Sequence, residues 1–184
     1  MFSYATAETV LARLHGADQK VQRAAFRGRL KHLKRLGIPR GINPGRGAKV
    51  WYNDAQIYEW AFCLELAEFG LDPTTTVGFM ERHWANDLLP KLLADRKRPT
   101  SDGDDLYFVA YPQLMANAWA PSKDEAIPYR LVRRSEIERL VGRLSGTNRR
   151  AIIINVSSIL HEIDLLRVLV DSASKANSSR RKKR

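Results

Sequence analysis

The sequence predicts a mainly α-helical chain whose C-terminal part is α+β, on three observations. Apolar residues recur at helical spacing through most of residues 3–97, and short aromatic and β-branched runs take their place between 106 and 155. The last stretch, 174-SKANSSRRKKR-184, holds nothing to bury and is expected to be a disordered basic tail. With 184 residues, 44% hydrophobic and 28% charged, the chain can bury one substantial core or two small ones of unequal size. Its single cysteine, Cys63, excludes an intrachain disulfide framework and a thiolate metal cluster, and the four histidines have no ligand spacing. No metal or cofactor is therefore expected, and a reducing, intracellular setting fits best. The opening MFSYATAETVLARLHG lacks a basic region followed by an apolar one, and no apolar run approaches the ~18 residues of a membrane span. The expectation is a soluble chain that is not secreted and has no membrane partner.

Charge narrows the function classes further. The net charge of +11 divides into +9 over residues 1–53, −4 over 54–97, zero over 98–173 and +6 over 174–184. A generally basic surface spreads its charge, whereas a polyanion-binding face concentrates it, because each phosphate neutralised releases condensed counterions. Nucleic acid is the leading partner on this distribution, ahead of an anionic membrane surface.

Taken in order, ATAETVLARLHG is a short helical pattern with Val10, Leu11 and Leu14 apolar, and Gly16 supplies a turn. The stretch 20–38 reads as a second helix with two stripes. Phe26, Leu30, Leu33 and Leu36 form an apolar one, and Lys20, Arg23, Arg27, Lys31 and Lys34 a cationic one on another face. Seven cations lie between residues 20 and 35 with no acid among them, so this helix repels itself unless a polyanion is present. It stops at Gly37 with Pro39 beyond. Helix, turn and basic helix is the order of a helix-turn-helix.

The stretch 41-GINPGRGAKVWYNDAQ-56 admits three readings: a phosphate-cradling loop, a disordered hinge or the wing of a DNA-binding domain. The first lacks the Gly-Lys-Ser/Thr ending that a P-loop needs, and the second leaves Val50, Trp51 and Tyr52 without burial. A wing of strand, turn and strand uses every residue, presenting Arg46 and Lys49 to a phosphate backbone and entering the next helix through Asn53 and Asp54, with Gln56 bonding back. That helix, DAQIYEWAFCLELAEFG, places Ile57, Ala61 and Leu64 on one side and stops at Gly70. Asp72 as cap and Pro73 at the first helical position start another, TTTVGFMERHWANDLL. Pro90 interrupts LLPKLLADRK, and 98-RPTSDGDD-105 is linker chemistry. Beyond it LYFVAYP, IPYRLV and RAIIINV read as strands, and SSILHEIDLLRVLVDSA as a helix with Ile159, Ile163, Leu166 and Val170 at helical spacing. The expected organisation is a DNA-binding domain over 3–97, a linker over 98–105, a small α+β dimerisation or partner-binding domain over 106–173 and the tail.

The order Arg35-Leu36-Gly37, a Gly/Pro-rich wing, an aromatic, Asp54, a helix with Leu64 and Leu66, and Phe69-Gly70-Leu71-Asp72 before another helix resembles the winged helix-turn-helix domain of the MerR family of transcription regulators. The resemblance covers about residues 20–83. It differs in having His32 and Leu33 where the family has two aromatics. It implies that Arg27, Arg29 and Lys31 lie near the start of the DNA-contacting helix, and that Arg46, Lys49 and Tyr52 belong to a wing touching the DNA backbone.

Other residues have plainer readings. Trp51, Tyr58, Trp60, Phe62 and Phe69 are assigned to a hydrophobic core rather than to base stacking, Cys63 to a buried small hydrophobe, and His83 with Glu81 to a surface helix end. The expected function is that of a homodimeric, sequence-specific double-stranded DNA-binding transcription regulator of the cytoplasm and its nucleoid. Lys20, Arg23, Arg27, Arg29, Lys31, Lys34, Arg46, Lys49 and Tyr52 would contact DNA, and RNA polymerase or another regulator is a further possible partner. The alternative is an architectural, nucleoid-associated protein that binds without a preferred site. An RNA-binding module lacks a signature, and an enzyme lacks paired carboxylates or a nucleophile constellation.

Overall fold

The computed structural model describes residues 1–42, 49–97, 103–111, 129–143 and 150–181, with side chains described up to residue 173. The described chain is mainly helical with a small antiparallel sheet part. It gathers into two compact units, one formed by Met1–Ala61 with Ile159–Arg184 and the other by Phe62–Ser158. These boundaries fall inside two helices and not at residues 98–105.

The first unit opens with strand β1 (Phe2–Ser3), which runs straight into helix α1 (Tyr4–Leu14); the Ser3 hydroxyl accepts from the Thr6 N–H at 3.1 Å and closes the first turn. Gly16, at a φ of 61° that only glycine adopts without strain, turns the chain towards helix α2 (Lys20–Arg35). Both helices stand where periodicity predicts them. Strand β2 (Trp51–Tyr52) is shorter than the predicted GAKVWY strand, and its antiparallel partner is β1, with Phe2 opposite Tyr52 and Ser3 opposite Trp51. The partner of β2 among the described residues is thus the start of the chain; residues 43–48, on which the rest of the expected strand-turn-strand falls, lie outside the described ones.

Helix α3 (Asp54–Glu68) begins as predicted, with Asn53 and Gln56 exchanging backbone-to-side-chain bonds of 2.9 Å in both directions. It is not one-sided. Residues 57–64 are all buried, which accounts for its run of apolar side chains on every face. In the first unit Trp60 lies between the rings of Tyr4 (6.4 Å) and Tyr52 (5.3 Å), and Phe2, Leu11, Leu30 and Ile57 are fully buried. Arg167, on the last helix, completes this unit by donating to Asp54 Oδ1 at 3.0 Å and lying 4.6 Å over the Phe2 ring.

In the second unit Asp72 caps helix α4 (Pro73–His83) by accepting from the N–H groups of Thr74 and Thr75. A π-helical stretch over Trp84–Leu88 then leads directly into α5 (Leu89–Arg96). Pro90 therefore does not break the helical path. It sits in the first turn of α5, and the wider turn before it accommodates the missing N–H and the ring. Strands β3 (Leu106–Ala110), β4 (Tyr129–Arg133) and β5 (Ile152–Asn155) form an antiparallel sheet in the order β4-β3-β5, and β4 runs into helix α6 (Arg134–Val141). Phe108 on the central strand meets Phe62 edge-on at 4.8 Å and stacks on Tyr129 at 5.3 Å. Asp95, almost wholly buried, ties the sheet to its surroundings by accepting from Arg133 Nη1 at 2.6 Å and from the Ser157 hydroxyl at 2.5 Å.

Helix α7 (Val156–Arg181) follows β5 and runs far beyond residue 173. The tail expected to be disordered is helical as far as Arg181. SKANSSRR contains neither Gly nor Pro, and extending an existing helix avoids the cost of nucleating a new one. Three further expectations change. Trp51 is 53% exposed because adjacent strand residues face opposite sides and Tyr52 takes the inner one. Phe69 is 51% exposed because it follows the last buried residue of α3, Leu66, at the helix end. His83 is not a surface group: it is partly buried with its ring 5.0 Å from Phe79 and 5.2 Å from Tyr129, and this burial holds its imidazole below its ordinary pKa.

Candidate nucleic-acid interface

Helix α2 buries only Phe26, Leu30 and Leu33, one side of the cylinder. The remaining surface is exposed and cationic. Lys20, Arg27, Arg29, Lys31, Lys34 and Arg35 are all exposed along 16 residues, a length of about 24 Å at the helical rise. Lys34 and Arg35 also suit the negative end of the helix dipole. Between the cations, Val21, Ala24, Ala25 and Gly28 are exposed and small, and a side chain added at Gly28 would meet nothing within 4 Å.

Helix α1 organises part of this face. Glu8 is only 4% exposed, yet carries a charge, and a buried charge requires partners. Arg27 supplies a bidentate pair, Nε to Oε2 at 2.9 Å and Nη2 to Oε1 at 2.8 Å. Arg23 adds Nε to Oε1 at 3.2 Å and reaches the Thr9 hydroxyl with Nη2 at 2.7 Å. The hydrogen bond from Arg27 is the main cause holding the Glu8 carboxyl below its ordinary range, opposed by burial and helped by Arg23. One helical turn before Glu8, the Tyr4 ring lies 5.4 Å below the Lys34 ammonium. Lys20, Lys31 and Arg35 make no salt bridge among the described residues.

The residues just after α2 are tied to α3 through Arg40. Glu59, buried in α3, accepts from the Arg40 N–H at 2.9 Å and from Arg40 Nε at 2.6 Å, while Gln56 Nε2 donates to the Arg40 carbonyl at 2.9 Å. Lys49, two positions before β2, is exposed, and Arg46 lies outside the described residues. Tyr52 does not belong to the interface. It is fully buried against Trp60, its hydroxyl has no hydrogen-bond partner among the described residues, and burial raises its pKa.

The structure thus gathers Arg23, Arg27 and Lys34 around α1, leaves Lys20, Arg29, Lys31 and Lys49 exposed and removes Tyr52. Sequence reasoning missed Glu8 and Tyr4. The available signal was an acid falling on the apolar face of α1, beside Ala7 and Leu11, in a region where the only other acid up to residue 53 is Asp18. No group of three or more His, Cys, Asp or Glu side chains among the described residues is placed to hold a metal ion, and no helix among them is long and apolar enough to cross a membrane. No family model matches the chain, and no curated protein or solved structure is found to be similar to it.

Proposed function

We propose that this chain is a sequence-specific double-stranded DNA-binding transcription regulator that acts as a homodimer. The observation that carries this reading is the exposed cationic face of α2, a helix whose opposite side is fixed to a core. In this reading α1, the turn at Gly16 and α2 are the helix-turn-helix, with α2 entering the major groove. Small residues between the cations let the helix axis approach the base edges. Arg27 and Arg29 read bases or adjacent phosphates; Lys20, Lys31 and Lys34 neutralise phosphates. The stretch between Arg40, which Glu59 and Gln56 hold, and β2 is the proposed wing, with Arg46 and Lys49 on the DNA backbone. The second copy is expected against α7, where Leu165, Val168 and Leu169 expose half or more of their surface at helical spacing.

Selection of preferred sites from a random duplex library at near-physiological salt tests the reading, run beside Arg27→Ala and a protein lacking residues 174–184. A discrete motif, relaxed at one base pair by Arg27→Ala with a loss of ~1–3 kcal/mol, is the expected outcome. Enrichment without a motif, abolished by removing the six cations of residues 174–184 alone, would replace the regulator with an architectural protein.

A further inference from the structure

The geometry points to Glu8 as a positioning residue for DNA contact: it locks the guanidinium of Arg27 so that the free edge of the fork faces outward. The inference rests on the DNA-binding reading of α2 and adds a residue of the opposite charge to it.

Glu8 uses both oxygens on α2, and Arg27 answers with two of its five N–H groups, those on Nε and Nη2. Its remaining donors are on Nη1 and on the second hydrogen of Nη2. These form the parallel pair that fits two phosphate oxygens, or the O6 and N7 of a guanine. The Arg27 side chain is 50% exposed while Glu8 beneath it is buried, so the pair has a protein side and a solvent side. A tie serving only to join α1 to α2 has no need of this form. Leu11, Leu30 and Leu33 are already buried on these two helices, and a buried ion pair is a weak fastening compared with apolar packing. Arg23 fills the other flank of Oε1 and bonds to Thr9, which fixes the carboxylate plane. Two guanidinium groups against one carboxylate leave the cluster net positive.

The sign of one substitution separates positioning from bystander electrostatics. Glu8→Gln raises the net charge by one, so an acid that merely sits near a polyanion site would, on replacement, give tighter binding and a steeper salt dependence. A positioning acid gives the reverse. Binding of a fluorescent duplex carrying the site selected by the unaltered chain, or random duplex if no motif emerges, is measured at fixed salt for the full chain, Glu8→Gln, Arg27→Lys and the double variant, after a thermal melt of each. The expected result is roughly three- to tenfold weaker binding for Glu8→Gln despite its extra charge, a similar loss for Arg27→Lys, and little further loss when the two are combined. Arg27→Lys keeps the charge and leaves Glu8 paired with Arg23, so it carries the test if Glu8→Gln does not fold: equal binding by Arg27→Lys overturns the proposal. Unchanged or tighter binding by a folded Glu8→Gln overturns it as well, as do losses that simply multiply in the double variant, while the DNA-binding reading stands. Failure of the unaltered chain to retain duplex at low salt overturns both.

Discussion

At the scale of single residues, the sequence reveals charges but not their company. Arg23 and Arg27 are legible as members of a cationic stripe, and nothing in their spacing says that a carboxylate 15 and 19 residues earlier occupies them. Tyr52 fails as a site residue for a related reason: a two-residue strand has one inner and one outer position, and only the pairing with β1 decides which aromatic goes in. The Glu8 cluster has a consequence for acid stability. Because its carboxyl titrates lower in the folded chain than in the unfolded one, the stabilisation is fully present above the ordinary carboxylate range and is lost as pH falls through the folded value. Denaturant unfolding between neutral and acid pH is expected to give a shallower loss of stability for Glu8→Gln than for the unaltered chain. Parallel curves would show that the ion pair contributes nothing net.

Among elements, those with strong internal periodicity or punctuation are legible: α1, α2, the Asn53–Gln56 entry to α3, the Asp72-Pro73 start of α4 and the three strands of the second unit. Others depend on neighbours the sequence does not name. Trp51 and Tyr52 pair with residues 2 and 3, and the passage of Pro90 depends on a π-helical turn set one step earlier. Helix α2 also permits a test of what its open face is for. Gly28 stands mid-helix in open space, so Gly28→Ala is expected to stabilise the chain by about 0.5–1 kcal/mol, read as a higher denaturant midpoint. If the face lies against DNA, the same methyl group weakens duplex binding while the fold gains, an opposition that an idle surface would not produce.

Over the whole molecule, the mainly helical character with a late antiparallel sheet is legible, because composition changes visibly after residue 105. The grouping into units is not, since it joins residues 106 to 113 positions apart, as Tyr58 to Asp164 and Asp54 to Arg167. No local pattern encodes such distances. The exposed Leu165, Val168 and Leu169 make a prediction about assembly: replacing all three with Gln is expected to leave the melting temperature of the chain close to unchanged at low concentration and to convert dimer to monomer in sedimentation equilibrium. An unaltered chain that sediments as a monomer at all concentrations would remove α7 as the pairing surface.

The ion pair between Arg167 and Asp54, with Phe2 beneath the same guanidinium, also bears on the order of events at the ribosome. Synthesis delivers the cationic helix α2 early and the residue that closes its own unit more than a hundred positions later. The stretch in between, 62–158, contains its own sheet and aromatic cluster and can condense first. The cationic helix thus emerges well before its unit is complete, at a ribosomal surface rich in phosphate. Glu8, made earlier still, is at hand to occupy two of its arginines during that wait.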